Sequence, residues 1–193
     1  MSIARLRDFV ASMTRLIEHH GNAEDAVLGP AKTLLAGLVA HDDWLPDAFA
    51  ASDASKYRQY LLYGDPLERF SIVSFVWGPG QRTPVHDHLT WGLVGMLRGS
   101  EQAVSFRTDA DRGILIPGEP AVLMPGMVVA VSPSLGDIHT VANALPDRPS
   151  ISIHLYGGNI GTIRRHSFDP ATGGKADFVS GYSSAASPNL WAV

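Results

Sequence analysis

Histidine is the residue type in this chain best placed to do chemistry. His86 and His88 flank Asp87 directly after an apolar run over 72–77 and a Gly78-Pro79-Gly80 turn. On an extended segment, side chains at i and i+2 share a face. If that face looks into a barrel, both imidazoles converge on one point. Asp87 then faces the other way and reads as a structural residue. A third histidine, His139, lies in a similar setting, Gly136-Asp137-Ile138-His139-Thr140-Val141. A polar ladder, Ser152-x-His154-x-Tyr156, follows. Together these residues predict a mononuclear metal site with an acid–base group beside it. Neutral imidazoles suit iron, zinc, copper or nickel, so ligand type leaves the metal open. The ladder itself has two readings. Its polar side faces water on a half-exposed strand, or it lies inside a barrel and is hydrogen-bonded in series, as buried polar groups must be.

The elements that position these residues fall into two grammars. Residues 2–20 carry Ile3, Leu6, Phe9, Val10, Met13, Leu16 and Ile17 at three- and four-residue steps, which predicts an amphipathic helix. His19 and His20 close it and suit a helix C-terminus. A second helical pattern over 23–40 is expected to break at Gly29-Pro30. A short helical piece follows near 43–51, and His41 lies in the polar connection before it. From residue 57 onward, short β-rich runs alternate with turn residues. The strands expected are 57–63, 71–77, 83–88, 92–97, 101–107, 121–123, 128–131, 138–143 and 150–156. This predicts a mainly β protein of one domain, 1–193. Its helical N-terminal layer (1–52) packs on a small double-sheet jelly-roll barrel (57–165). The tail, 166–193, is expected to be irregular, with Phe178, Tyr182 and Trp191 as anchors.

Composition narrows the function. Of 193 residues, 45% are apolar and 18% charged, which describes a folded chain. A formal charge of −4 gives no reason to expect a nucleic acid or an anionic membrane as partner. With no cysteine, disulfides and thiolate ligands are excluded. No apolar leader and no 18-residue apolar run occur, so a cytoplasmic protein is expected.

Gly80-(x5)-His86-x-His88-(x3)-Gly92-(x6)-Gly99 resembles the first cupin motif, and Gly136-(x2)-His139-(x3)-Asn143 resembles the end of the second. Cupins usually carry a glutamate ligand where this chain has Gly92. Three neutral imidazoles without a carboxylate leave the charge of a divalent metal uncompensated, which favours an anionic substrate ligand such as a thiolate. Tyr57-Arg58-Gln59-Tyr60-Leu61, Phe70 through Trp77-Gly78-x-Gly80, the three histidines and Ser152-x-His154-x-Tyr156 are similar to the cysteine dioxygenase family of thiol dioxygenases. That resemblance spans roughly 57–165. It implies Fe(II) held by His86, His88 and His139, with Ser152, His154 and Tyr156 as the outer series. The activity implied is addition of both atoms of O2 to a thiol, giving a sulfinic acid. Partners would be a small thiol and O2.

Mammalian-type members place an arginine for the cysteine carboxylate where this chain has Gln59. They also carry a cysteine, crosslinked to the tyrosine, where it has Gly92. Gln59 and the Gly157-Gly158 pair after the tyrosine resemble the bacterial subgroup that prefers 3-mercaptopropionate. In that subgroup a later arginine binds the carboxylate, and Arg165 is the match, with Arg164 the alternative. Two rival readings remain, a cupin metalloenzyme of other chemistry and a non-catalytic small-molecule-binding cupin. The first would share the ligands but would not need the Ser-His-Tyr ladder, and the second predicts metal or ligand binding without O2 uptake.

Overall fold

The computed structural model describes residues 2–111 and 113–192. Two helices come first, α1 (Ala4–His20) and α2 (Glu24–Val39), then a single 3-10 turn at Asp47–Phe49. Among the described residues, twelve strands follow. They are β1 (Arg58–Gly64), β2 (Ser71–Trp77), β3 (Val85–His86), β4 (Gly92–Arg98), β5 (Glu101–Asp109), β6 (Ile114–Pro117), β7 (Ala121–Leu123), β8 (Val128–Val131), β9 (His139–Asn143), β10 (Ser150–Tyr156), β11 (Arg165–Phe168) and β12 (Lys175–Phe178). A five-stranded sheet runs β1-β2-β10-β4-β8. A seven-stranded sheet runs β12-β11-β3-β9-β5-β6, with β7 also paired to β5. Every named pairing is antiparallel.

The helices bury one stripe each. Leu6, Phe9, Val10, Met13 and Ile17 of α1 join Val27, Ala31, Leu35, Leu38 and Val39 of α2. That stripe packs on the outer face of the five-stranded sheet, in one core with Ile72, Val76, Leu93, Leu97, Ile151, Ile153 and Leu155. The approach is close. A Cβ added at Gly95 would lie 3.0 Å from both Leu35 Cγ and Val39 Cγ1. This cover decides the reading of the polar ladder. The odd-numbered positions of β10 face the helices, so Ser152, His154 and Tyr156 face inward, and all of β10 is buried.

Three details depart from the sequence reading. α2 continues through Gly29-Pro30. Pro30 lies on its exposed side, and without an N–H it leaves the carbonyl four residues back without its helical partner. The segment after Arg165 is a hairpin, β11–β12, rather than an irregular tail, and β11 pairs with β3. Its alternation is too short to show in sequence, and the pairing edge comes from β3. Trp191 is exposed, with the Arg7 guanidinium 5.4 Å above its ring. Tyr182 does anchor, its hydroxyl bonded to Asn159 Oδ1 at 2.6 Å. Among the described residues no helix is long and apolar enough to cross a membrane.

Candidate metal centre and substrate cavity

β3 and β9 place the first two histidines side by side, for His86 and His139 are direct partners in the ladder. β3 ends at His86, so strand alternation does not carry His88 to the site. Asp137 does. Its Oδ2 accepts from the backbone N–H groups of His88 (2.9 Å) and Leu89 (2.8 Å), and its Oδ1 lies 2.8 Å from His88 Nδ1. Leu89 adopts φ 57° at this turn. Sequence reasoning missed Asp137, although its place two residues before His139 was visible. Asp87 points away, as expected, and accepts from the backbone N–H (2.8 Å) and Nδ1 (2.7 Å) of His166.

His86, His88 and His139 are buried, and one ring nitrogen of each lies within 4.8 Å of the others. His86 Nδ1 faces Pro84 O at 3.1 Å, and His88 Nδ1 faces Asp137. Held this way, both rings turn Nε2 toward the common point, the usual support for a metal-ligating imidazole. Burial and the neighbouring His88 push His86 down to about 3, and burial holds His139 well below the usual histidine range. His86 and His139 are therefore neutral at pH 7, the state a divalent metal requires of its imidazole ligands. The donor set fits a mononuclear metal.

The ladder residues form a hydrogen-bonded row. Ser152 Oγ lies 2.8 Å from His154 Nε2, and His154 Nδ1 lies 2.8 Å from Tyr156 Oη. Trp77 Nε1–H donates to Ser152 Oγ at 3.4 Å. The His88 and Tyr156 rings stack with centroids 5.4 Å apart, which brings the row up to the three histidines. Burial raises the Tyr156 hydroxyl, opposed by Arg165, and lowers His154. Tyr156 thus keeps its proton at neutral pH.

Gly92 pairs with Tyr156 across the β10–β4 ladder. A Cβ at Gly92 would sit 2.8 Å from Tyr156 Cδ1, so the phenol ring occupies the space a larger residue would need. Gly157 is constrained in the same way, with Trp91 Nε1 2.3 Å from where its Cβ would be.

A cavity of about 290 Å³ opens in front of the histidines. Tyr57, Phe75 and Trp77 form an aromatic wall, and Gln59, Tyr156 and Arg165 contribute polar groups. None of the described residues lining it is an Asp or Glu. Arg165 is 5% exposed. Its Nη2 donates to Ser180 Oγ at 2.7 Å, its guanidinium lies 4.8 Å from the Phe178 ring, and its Nε is buried without a partner. Burial lowers its pKa, but a guanidinium remains charged. Arg164 instead points outward, 73% exposed, toward Asp177. Gln59 lines the cavity, with its amide nitrogen given to Gly181 O at 2.7 Å. The hairpin and the residues after it thus complete the cavity wall, a contribution the expected irregular tail did not foresee.

Comparison with known proteins accords with this geometry. The family model for cysteine dioxygenase type I matches residues 32–169, from within α2 to just past β11. The chain belongs to the cysteine dioxygenase type I family. Cysteine dioxygenase type 1 of Bos taurus is 27% identical over 138 residues, covering 70% of this chain and 67% of the bovine protein. The Homo sapiens protein is 28% identical over 129 residues, covering 66% of this chain and 62% of its own length. A Klebsiella pneumoniae protein with a double-stranded β-helix domain matches in structure with a TM-score of 0.47 and 15% identity, over 71% of this chain and 97% of that one. The architecture is mainly β, two sheets with two N-terminal helices.

Proposed function

We propose that this member of the family is an Fe(II)-dependent thiol dioxygenase that acts on a small thiol carboxylate, with 3-mercaptopropionate preferred to L-cysteine. Overall, RSH and O2 give RSO2H, so atoms balance without a further reductant. His86, His88 and His139 would hold the iron, which would supply O2 chemistry and lower the pKa of a bound thiol. The remaining work falls to the chain. Arg165 would take the substrate carboxylate and fix the distance from carboxylate to sulfur. Such positioning makes the encounter effectively unimolecular. Gln59 lines the same cavity and would shape its substrate end. Tyr156 would donate its hydroxyl proton to the bound reactants, with His154 and Ser152 holding the phenol in place. The aromatic wall of Tyr57, Phe75 and Trp77 keeps water out and strengthens each of these contacts.

The observation that carries the substrate reading is the charge balance of the cavity. It offers one buried cation with an unpartnered N–H, and no acidic side chain among the described lining residues. A buried charge without a counter-ion is costly, and an anionic ligand relieves that cost. A thiol carboxylate supplies the anion. The ammonium of cysteine would find no carboxylate in the lining. The test is O2 uptake by anaerobically iron-loaded protein, with each thiol added separately. Faster uptake with 3-mercaptopropionate supports the reading. A preference for cysteine refutes the charge argument while keeping the enzyme class.

A further inference from the structure

Ser150, Ser152, His154 and Tyr156 occupy alternate positions of β10, so the inward row is one residue longer than the ladder read from sequence. Glu101 of β5 meets its far end. Glu101 is 1% exposed and pairs with Asn143 of β9. It lies four residues along β5 from Ser105, the partner of His139, or ~13 Å at the rise of a strand. Its carboxyl group meets the row at Ser150, and it shares the lining of a small internal pocket with His139. Ser150 Oγ donates to Glu101 Oε1 at 3.3 Å, while Oε2 is buried with no hydrogen-bond partner. Burial pushes this carboxyl up to about 8, opposed only by the hydroxyls of Ser152 and Ser150.

A neutral carboxylic acid has one accepting oxygen and one O–H. Oε1 takes the Ser150 proton, so the acid proton belongs on Oε2. Ser152 Oγ, the next hydroxyl of the row and the other one that bears on this carboxyl, is the acceptor we assign to that proton. A serine hydroxyl can accept twice and donate once. Trp77 Nε1–H and Glu101 Oε2–H fill both acceptor places, so the Ser152 proton goes to His154 Nε2. Neutral His154 then carries its own proton on Nδ1 and donates it to Tyr156 Oη. The phenol proton is left free to point into the cavity. The reverse order would tie the Tyr156 proton to His154 and place a bare carboxylate in the barrel interior, which burial disfavours.

We infer that Glu101 is a positioning residue that terminates the Ser152-His154-Tyr156 row, sets its direction and thereby makes Tyr156 a donor toward the cavity. The functional value of that donor rests on the proposed dioxygenase reading, but the proton order does not.

The test is nitrogen-15 NMR of the histidine rings in protein loaded with zinc, a diamagnetic occupant, together with turnover of the iron-loaded forms. The wild type and Glu101→Gln should both carry the His154 proton on Nδ1, because the Gln amide reproduces one acceptor and one donor. Glu101→Met should shift the proton to Nε2 or let it exchange between both nitrogens. Its kcat should fall about tenfold, the effect of one lost hydrogen bond, with KM within about twofold. Glu101→Gln should keep kcat within about twofold of the wild type. A wild-type His154 protonated on Nε2 overturns the inference, as does a Glu101→Met spectrum identical to the wild type. If Glu101→Met does not fold, the wild-type and Glu101→Gln spectra decide the matter. If no thiol is turned over by the wild type, the function proposal fails while the spectra still decide this one.

Discussion

Replacing Arg165 by methionine separates what this residue does for folding from what it does for a ligand. In the free protein the guanidinium is buried, has one hydrogen bond to Ser180 Oγ and leaves Nε unpartnered. An unsatisfied buried donor costs about 1–3 kcal/mol. Exchange of a poorly compensated buried charge for an apolar side chain of similar length is neutral to stabilising by ~1–4 kcal/mol. Arg165→Met should therefore unfold at the same denaturant midpoint as the wild type or a higher one. Binding should respond in the opposite sense. Loss of a buried charge-assisted contact with a carboxylate costs about 2–5 kcal/mol. At 1.4 kcal/mol per tenfold, kcat/KM for 3-mercaptopropionate should fall about 30-fold at least. Cysteamine, a thiol without a carboxylate, should show a change of less than about threefold. The assay is O2 uptake at equal iron content, paired with urea unfolding. Equal losses for both thiols would refute the carboxylate role. A large drop in stability would refute the claim that Arg165 is a burden on the free fold.

Other expectations follow from the same geometry. His139→Ala should abolish stable iron binding, measured as iron per protein after desalting, and full occupancy would remove His139 from the ligand set. Tyr156→Phe should retain iron and lose about 10²-fold in kcat, the lower end of what a positioned proton donor contributes; unchanged turnover would sink its role. The metal-free protein should lose stability on acidification. The folded pKa of His86 is depressed to about 3, and those of His139 and His154 lie well below the ordinary value, so the unfolded chain binds protons first as pH falls below 6.5. This stability is full above that pH and declines toward pH 3. By pH 5 His86 alone removes roughly 2 kcal/mol, with His139 and His154 acting in the same direction, read as a falling urea midpoint between pH 7 and 5. A flat midpoint over that interval would show the imidazoles to be less buried than this.

Much of the site was legible because its residues sit on strands whose alternation is visible. The spacing of Ser152, His154 and Tyr156 became an inward row once helices covered Ile151, Ile153 and Leu155. What the alternation alone left open was which face of β10 looks inward, since that depends on the docking of α1 and α2, which lie far away in sequence. His88 was grouped correctly with His86 but for an incomplete reason, because Asp137 rather than strand geometry sets it. The β11–β12 hairpin went unread because four-residue strands gain their stability from β3 and not from a local pattern. Arg165 was distinguished from Arg164 only by that pairing, which turns one inward and the other toward Asp177. Glu101 looked like an ordinary charged strand residue, and nothing in its neighbourhood in sequence signals a buried acid.

The most direct test of the central claim is the origin of the product oxygens. Iron-loaded protein turned over with 3-mercaptopropionate under isotopically labelled O2 should give a sulfinic acid that carries both labelled atoms, as mass spectrometry would show. A product with label from water, a disulfide with no oxygen added, or no product from protein shown to hold iron would contradict the account.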